Sequence, residues 1–543
     1  MDETGSGPDQ TGENPPVPVD PHSGGSTEAT LIESATPRVG RARYVALALA
    51  VFVLLAGGAA VIVARGGSAA AVEFKVPADV VAFVKVSIRP SLEQQQVLAR
   101  LLSRVGSSGR EKLQSRIDAL LDDALSGTGV GYSKDVRPWI GSQIGIAVRA
   151  PESAGSDPVV VALVAVDDEG AARAALAKFT EKPFSYEISG GIAYLSDSAK
   201  AITELRAGAE KGPVLADAEA YRSARESVDG DGLVLMWADN SRLKDIVKGE
   251  GLSTGVLDSF ASGRSGIVVA AVRAEAAGIA LVGHAFAGTE QEEAPTKGTP
   301  ALLESTSSGL VASLTAFNLG ARILVGLEAT GKAGAGASPV ESAVEAVRES
   351  LGIDLERDLA PMLRGEFSVV FGGLSGSGVP DVGVLIEPTD TAAATRVLAA
   401  LRARVEGFME GLGGGGSVRD IAGGFIVEAG DFSVVLRRGK DRIVIASSEP
   451  YATTLQGASA SSLRDDAVYK RAFDESDDGV VMQMFVRVDR LRTLLETFLG
   501  PEQRPAYEAD VAPLLEHMES FGLRVRGTGD EVDFRALLSV TGS

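Results

Sequence analysis

From Tyr44 to Ala64 the chain runs for 21 residues, YVALALAVFVLLAGGAAVIVA, without a charged side chain. No polar face recurs at helical spacing, so a helix built from this run is apolar all round. At 1.5 Å per residue it would be roughly 31 Å long, the thickness of a bilayer's hydrocarbon core. Arg38, Arg41 and Arg43 precede the run and Arg65 follows it. A basic excess beside a span is retained in the cytoplasm, so the expected product is a single-pass anchor in the cell membrane, with a cytoplasmic N-terminus and an extracytoplasmic remainder. The competing reading is a signal peptide cleaved near Ala69-Ala70-Ala71. Against it, the run exceeds the usual core of about 7–15 residues, and Arg65 interrupts the approach to the site.

The residues before the span cannot support a core. The first forty hold six prolines and seven acidic side chains, and before Leu31 the only aliphatic residues are Val17, Val19 and Ala29. Burying so little cannot offset the entropy of ordering the chain, so a disordered tail is expected. The whole chain has a net charge of −21 and no cysteine. Without a run of clustered Lys and Arg, a nucleic-acid groove is excluded. Without cysteine, so are disulfides, thiolate metal sites and a cysteine nucleophile.

Beyond the span the sequence repeats itself. GVGYSKDVRPWIGSQIGIAV (Gly129–Val148) aligns without gaps on GIDLERDLAPMLRGEFSVVF (Gly352–Phe371), which matches Gly129 with Gly352, Asp135 with Asp358 and Pro138 with Pro361. LADAEAYRSA (Leu215–Ala224) matches LRDDAVYKRA (Leu463–Ala472), with Tyr221 opposite Tyr469, and the two copies end in GIVVAAVRAEAAGIALVGHAF and GLRVRGTGDEVDFRALLSV, each of which reads as a closing hairpin. Order and spacing hold over roughly 210–240 residues per copy, the sign of one structural unit used twice. Each copy opens on an alternating strand, Val80–Ile88 or Leu310–Phe317. In the first copy, leucines three and four apart then predict helices over Leu92–Val105 and Arg110–Leu125, with Ser91 as N-cap. Strand pairs interleaved with helices imply an α+β fold: two copies of a mainly antiparallel sheet with helices on one face, rather than a doubly wound parallel sheet. The expected divisions are a tail at 1–43, the span at 44–64, a short linker at 65–73, a first repeat at 74–287, a linker at 288–301 and a second repeat at 302–541. Gly411–Ser417 (GLGGGGS) is expected as a loop inside the second copy.

The short tail, the single span, the opening VPADVVAFVKVSI and the segment DVRPWIGSQIGIAV together resemble the actinobacterial membrane proteins that carry the domain of unknown function DUF3352. That resemblance extends over essentially everything after Gly66. It implies a tethered, exported domain, and it implies no activity and no functional residues.

Candidate motifs give way to plainer readings. Gly326–Ala333 (GLEATGKA) is one residue short of a phosphate loop and has Ala333 where a hydroxyl should hold magnesium. Three histidines, His22, His284 and His517, stand far apart, which excludes a paired-histidine zinc motif. Asp229 with Asp231, and Asp474–Asp478, are acidic turns without the ligand spacing of a calcium loop. Asp122-Asp123 and Asp167-Asp168 are adjacent carboxylates in an acid-rich chain. No nucleophile elbow of the GxSxG type occurs. No catalytic, cofactor-binding or metal-binding residue is therefore assigned, and no cofactor. The expected function is a non-catalytic, membrane-tethered binding or scaffold module of the cell envelope, with a cell-envelope protein or a lipid-like ligand in an apolar groove as partner. The alternative is an envelope hydrolase built around His284 or His517.

Overall fold

The computed structural model describes residues 71–125, 130–150, 158–179, 184–229, 232–247, 266–286, 296–321, 323, 348, 352–375, 378–411, 416–430, 432–457, 461–473, 477–528 and 531–542. The expected tail and span, and residues 65–70 of the expected linker, lie outside them. Among the described residues no helix is long and apolar enough to cross a membrane.

The fold starts inside the stretch expected as a linker. Val72–Lys75 forms a 3-10 turn, with Val72 and the following Val76 wholly buried. Strand β1 (Ala82–Ser87) leads into helix α1 (Leu92–Ala124). The Ser91 hydroxyl accepts the Gln94 N–H at 3.3 Å, the N-cap the sequence predicts. Two helices were expected here and one forms. A helical glycine such as Gly106 or Gly109 costs about 1 kcal/mol, less than ending one helix and nucleating another. The first half continues through β2 (Ile140–Arg149), β3 (Val159–Val166), α2 (Glu169–Leu176), β4 (Ser185–Ser189) and β5 (Ile192–Ser196). Then come α3 (Ala199–Lys211), α4 (Glu219–Ser227), β6 (Val234–Asp239), α5 (Asn240–Val247) and the hairpin of β7 (Ile267–Ala274) with β8 (Gly278–Ala285).

The second half opens on another 3-10 turn, Leu302–Ser305, followed by β9 (Ala312–Phe317), β10 (Glu366–Leu374), β11 (Pro380–Ile386) and α6 (Thr391–Gly411). A meander follows: β12 (Gly416–Ile421), β13 (Gly424–Ala429), β14 (Phe432–Arg438) and β15 (Ile443–Ala446). The chain closes with α7 (Glu449–Gln456), α8 (Ala467–Ala472), β16 (Val480–Arg487), α9 (Val488–Phe498), α10 (Arg504–Asp510), α11 (Ala512–Leu515), β17 (Met518–Thr528) and β18 (Glu531–Val540).

All of these strands belong to a single 18-stranded sheet, and every pairing in it is antiparallel. The two halves meet where β8 pairs with β18, from Gly278 opposite Ser539 to Ala285 opposite Val532. Outward from that seam the order is β8-β7-β6-β1-β2-β3-β5-β4 on one side. On the other it is β18-β17-β16-β9-β10-β11-β15-β14, extended by β13 and β12. Gly416 and Ser417, expected in a loop, begin β12.

Helices pack on both faces of the sheet, where the sequence led us to expect one. On the first face, α3 and α4 cover Phe83, Leu163, Leu235 and Val269, while α7 covers Val370, Leu385 and Val444, and α8 covers Phe485. On the second face, Leu98 and Leu101 of α1 pack on Val86, Val234 and Val272. There α2 covers Val164 and Ala193, and α6 covers Ile386 and Ile443. Periodicity shows that a strand has two faces; whether a helix lands on the second is a tertiary matter.

Candidate functional site

The strands β18, β17, β16, β9, β10 and β11 present an inverted pattern. One register row across them reads Ala536, Leu523, Met484, Leu314, Val369, Val384. Two residues along, the next row on the same face reads Leu538, Phe521, Val486, Ala312, Phe371, Val382. Every side chain is apolar and none is fully buried, with Leu314 38 % and Val382 40 % exposed. Helix α9 packs beside β17, β16 and β10 and adds exposed Leu495 and Phe498.

The opposite face of the same strands is buried, and between apolar side chains such as Phe485, Val370 and Leu537 it carries one polar row. Its row reads Arg535, Arg524, Gln483, Thr315, Ser368, Leu385. Arg524 Nε donates to Gln483 Oε1 at 2.8 Å, its Nη2 meets Asp477 at 2.5 Å, and its guanidinium lies 4.4 Å over the Phe473 ring. Gln483 Nε2 donates to the Tyr469 hydroxyl, whose pKa burial pushes up to about 12. Thr315 and Ser368 share a hydroxyl contact at 2.7 Å, and Ser368 Oγ donates to Glu366 Oε1 at 3.4 Å. Glu366 Oε2 accepts from the backbone of Ala301 at 2.7 Å and Leu302 at 2.9 Å, and burial pushes its pKa up to about 7. A half-solvated antiparallel sheet ordinarily turns apolar side chains inward and polar ones out. Here the polar row is roofed by helices, with its groups paired, and among the described residues the apolar row is covered only in part, by α6 at Val384.

The arrangement suits capture of an apolar molecule. Each outward residue covers about 33 Å² of sheet, from a strand spacing of ~4.8 Å and a two-residue repeat of ~6.8 Å. Two rows of six then span roughly 400 Å² of sheet, of which Leu314 and Val382 are exposed, the other residues are half-buried and Val384 packs against the core under α6. The alternation itself is visible in the sequence, as in ASLTAF and VVMQMFVR. What the sequence lacks is any sign that the serine, threonine and glutamine phase is the buried one.

His284 lies at the seam, directly opposite Asp533. Its Nδ1 is 2.5 Å from Asp533 Oδ1 and its Nε2 is 3.1 Å from Glu531 Oε2. The Asp533 hydrogen bond raises the imidazole pKa, and partial burial opposes it. With a carboxylate on each ring nitrogen, His284 ties β8 to β18, and neither nitrogen is aimed at a hydroxyl. Nearby, Arg535 joins Glu275 at 2.6 Å, and Arg273 joins Glu275 at 3.1 Å and Asp229 at 3.0 Å. The cavity between these arginines measures about 240 Å³, less than the ~300 Å³ of a small ligand site.

Other residues singled out in the sequence take structural places. His517 contacts Glu516 at 3.1 Å in the turn before β17. Asp122 accepts from Ser133, Asp167 pairs with Arg89, and Asp168 caps α2 through the Ala171 N–H. Asp477 binds Arg464 and Arg524, and Asp478 accepts from Thr299. Asp135 and Asp358 each close a turn on a backbone N–H, of Gly131 at 3.0 Å and of Asp354 at 3.2 Å. Tyr221 and Tyr469 are buried against Trp237 and Phe485 respectively. His22, Asp231, residues 474–476 and Gly326–Ala333 lie outside the described residues. Among the described residues no group of three or more His, Asp or Glu is placed to hold a metal ion.

Residues 43–192 match the family model DUF3352, described as a protein of unknown function. The DUF3352 match takes in the uncharged run, the opening strand and the DVRPWIGSQIGIAV segment, and it ends at the first residue of β5. It is shorter than the resemblance drawn from the sequence, which ran on to the C-terminus. No curated protein matches the chain. A solved structure titled "Structure of crystal form III of TP0453" aligns with 44 % of this chain and 93 % of its own, at 8 % identity and a TM-score of 0.22.

Proposed function

We propose that the chain is a non-catalytic binding module of the cell envelope, tethered by a single N-terminal span, that holds a lipid-like ligand on the open apolar face of its sheet. The observation that carries this reading is the inversion across β18 to β11, where Leu314 and Val382 look outward while Gln483, Thr315 and Ser368 are buried. The uncharged run with arginines before it supports a membrane tether and an extracytoplasmic sheet.

The two halves are, on this reading, one fold used twice about a pseudo-two-fold axis at the seam. Three correspondences support it: the mirrored strand order, the equivalent turns at Asp135 and Asp358, and the opening 3-10 turns. In one of those turns Val72 N donates to Gln143, and in the other Leu302 N donates to Glu366.

Mass spectrometry of organic extracts from the purified full chain tests the ligand. A co-purifying alkyl or acyl compound is expected, and extracts no different from those of an unrelated single-span protein would overturn the reading. Protease accessibility in intact cells tests the topology, with the sheet cleaved from outside and the tail protected.

A further inference from the structure

A second concavity lies at the far end of the second half, away from the seam. Helix α6 turns Thr395, Leu398, Ala399 and Arg402 toward the turns that join β12 to β13 and β14 to β15. The cleft between them measures about 640 Å³, within the range of about 300–1,000 Å³ typical of small-molecule sites. Gly423, at φ +79°, makes the tight turn that brings this hairpin beside the helix; a Cβ there would sit 2.7 Å from the Arg438 carbonyl.

Its lining is two-sided. Leu398 and Ala399 supply an apolar wall over the buried ring of Phe425, and Arg402, Arg438 and Lys440 supply cations. Among the described residues no carboxylate lines the cleft, in a chain whose net charge is −21. Arg402 is already held by Asp420 at 2.9 Å and Glu406 at 2.9 Å. Arg438 instead donates to a neutral partner, the Thr395 hydroxyl, at 2.6 Å, and Lys440 stands exposed at the rim. An apolar wall beside cations without carboxylate partners matches a molecule with a hydrocarbon body and one anionic end.

We infer that this cleft binds a free single-chain anionic amphiphile, a carboxylate or phosphate on an alkyl chain, with Arg438 and Lys440 on the head and Leu398 and Ala399 along the chain. The inference takes its ligand class from the apolar-ligand reading above, and its site is separate from the open face around Leu314. Calorimetric titration of the full chain, held in a non-ionic amphipol, tests it with dodecyl phosphate, dodecanol and inorganic phosphate. Dodecyl phosphate should bind at least tenfold more tightly than dodecanol and at least a hundredfold more tightly than inorganic phosphate. Arg438→Gln with Lys440→Gln should weaken dodecyl phosphate at least tenfold and leave dodecanol unchanged. Ala399→Trp, at an exposed helix position, should block both alkyl probes while the melting temperature holds. Equal binding of inorganic and dodecyl phosphate would make this an anion site only. Equal binding of dodecanol, or no effect of the paired charge variant, would also overturn the inference. Leu314→Thr with Val382→Thr should leave this titration unaltered, so the cleft and the open face can fail independently.

Discussion

Replacing Glu366 by glutamine should stabilise the protein at alkaline pH and leave it unchanged at acidic pH. The carboxylate is 1 % exposed, and burial raises its pKa from 4.5 to about 7 against the two backbone N–H groups that favour its charge. The folded chain therefore holds this proton more tightly than the unfolded chain. The associated stability is complete below about pH 4.5 and is lost as pH rises through about 7. That interval is worth roughly 3 kcal/mol at about 1.4 kcal/mol per pH unit, so an ionised Glu366 costs the fold on that order. Glutamine cannot ionise, and its carbonyl can still accept from Ala301 and Leu302. Gln143 already serves in this way, accepting from Val72 N at 3.1 Å. Thermal melts from pH 5 to pH 9 give the assay. The variant and wild type should coincide near pH 5, and the variant should melt several degrees higher near pH 8.5. A variant that melts lower at pH 8.5, or by the same margin at both pH values, would refute the claim that burial sets this pKa.

Three further outcomes follow from the same structure. Lys85 and Glu73 form a buried pair at 3.0 Å; Lys85→Met alone should cost about 3–5 kcal/mol by stranding the carboxylate, and adding Glu73→Leu should recover most of it in urea unfolding. His284 has a raised pKa, so its seam cross-link contributes fully below about pH 6.5 and fades as pH rises through the folded value. The melting temperature of wild type should accordingly exceed that of His284→Gln at pH 6, with the gap shrinking by pH 9. On the open face, Leu314 is 38 % exposed, which leaves about 0.6–1 kcal/mol of its burial to be gained from a ligand. Leu314→Thr should therefore weaken a neutral solvatochromic dye about 3–5-fold, and adding Val382→Thr about 10-fold in total, with little change in melting temperature.

Much of the architecture is legible in the sequence, and the site is much less so. Ser91 as a cap, the β7–β8 hairpin and the alternating strand at Ala312–Phe317 follow from local chemistry and appear as expected. The pairing of β8 with β18 joins residues some 250 positions apart, and no local signal specifies it. The same holds for the continuity of Leu92–Ala124, where a Gly-Ser-Ser-Gly stretch reads as a break but is carried by the helix on either side. For the open face the difficulty is one of phase. Ser313, Thr315 and Gln483 alternate with Leu314 and Met484, and a hydrophobic pattern alone assigns the leucine phase to the interior. Only the helices α7 and α8, seated on the other side, reverse that assignment. The seam clasp of His284 was missed for a related reason, since its acidic partners Glu531 and Asp533 belong to the last strand.

The central claim is that the face bearing Leu314 and Val382 holds an apolar ligand in the living cell. Photo-crosslinking amino acids placed at 314, at 382 and at the exposed helix position Ser223 would read this directly after irradiation of intact cells. The account predicts alkyl or acyl adducts at 314 and 382, found by mass spectrometry of the purified full chain, and only water-quenched product at 223. Water-quenched product at all three positions would contradict it.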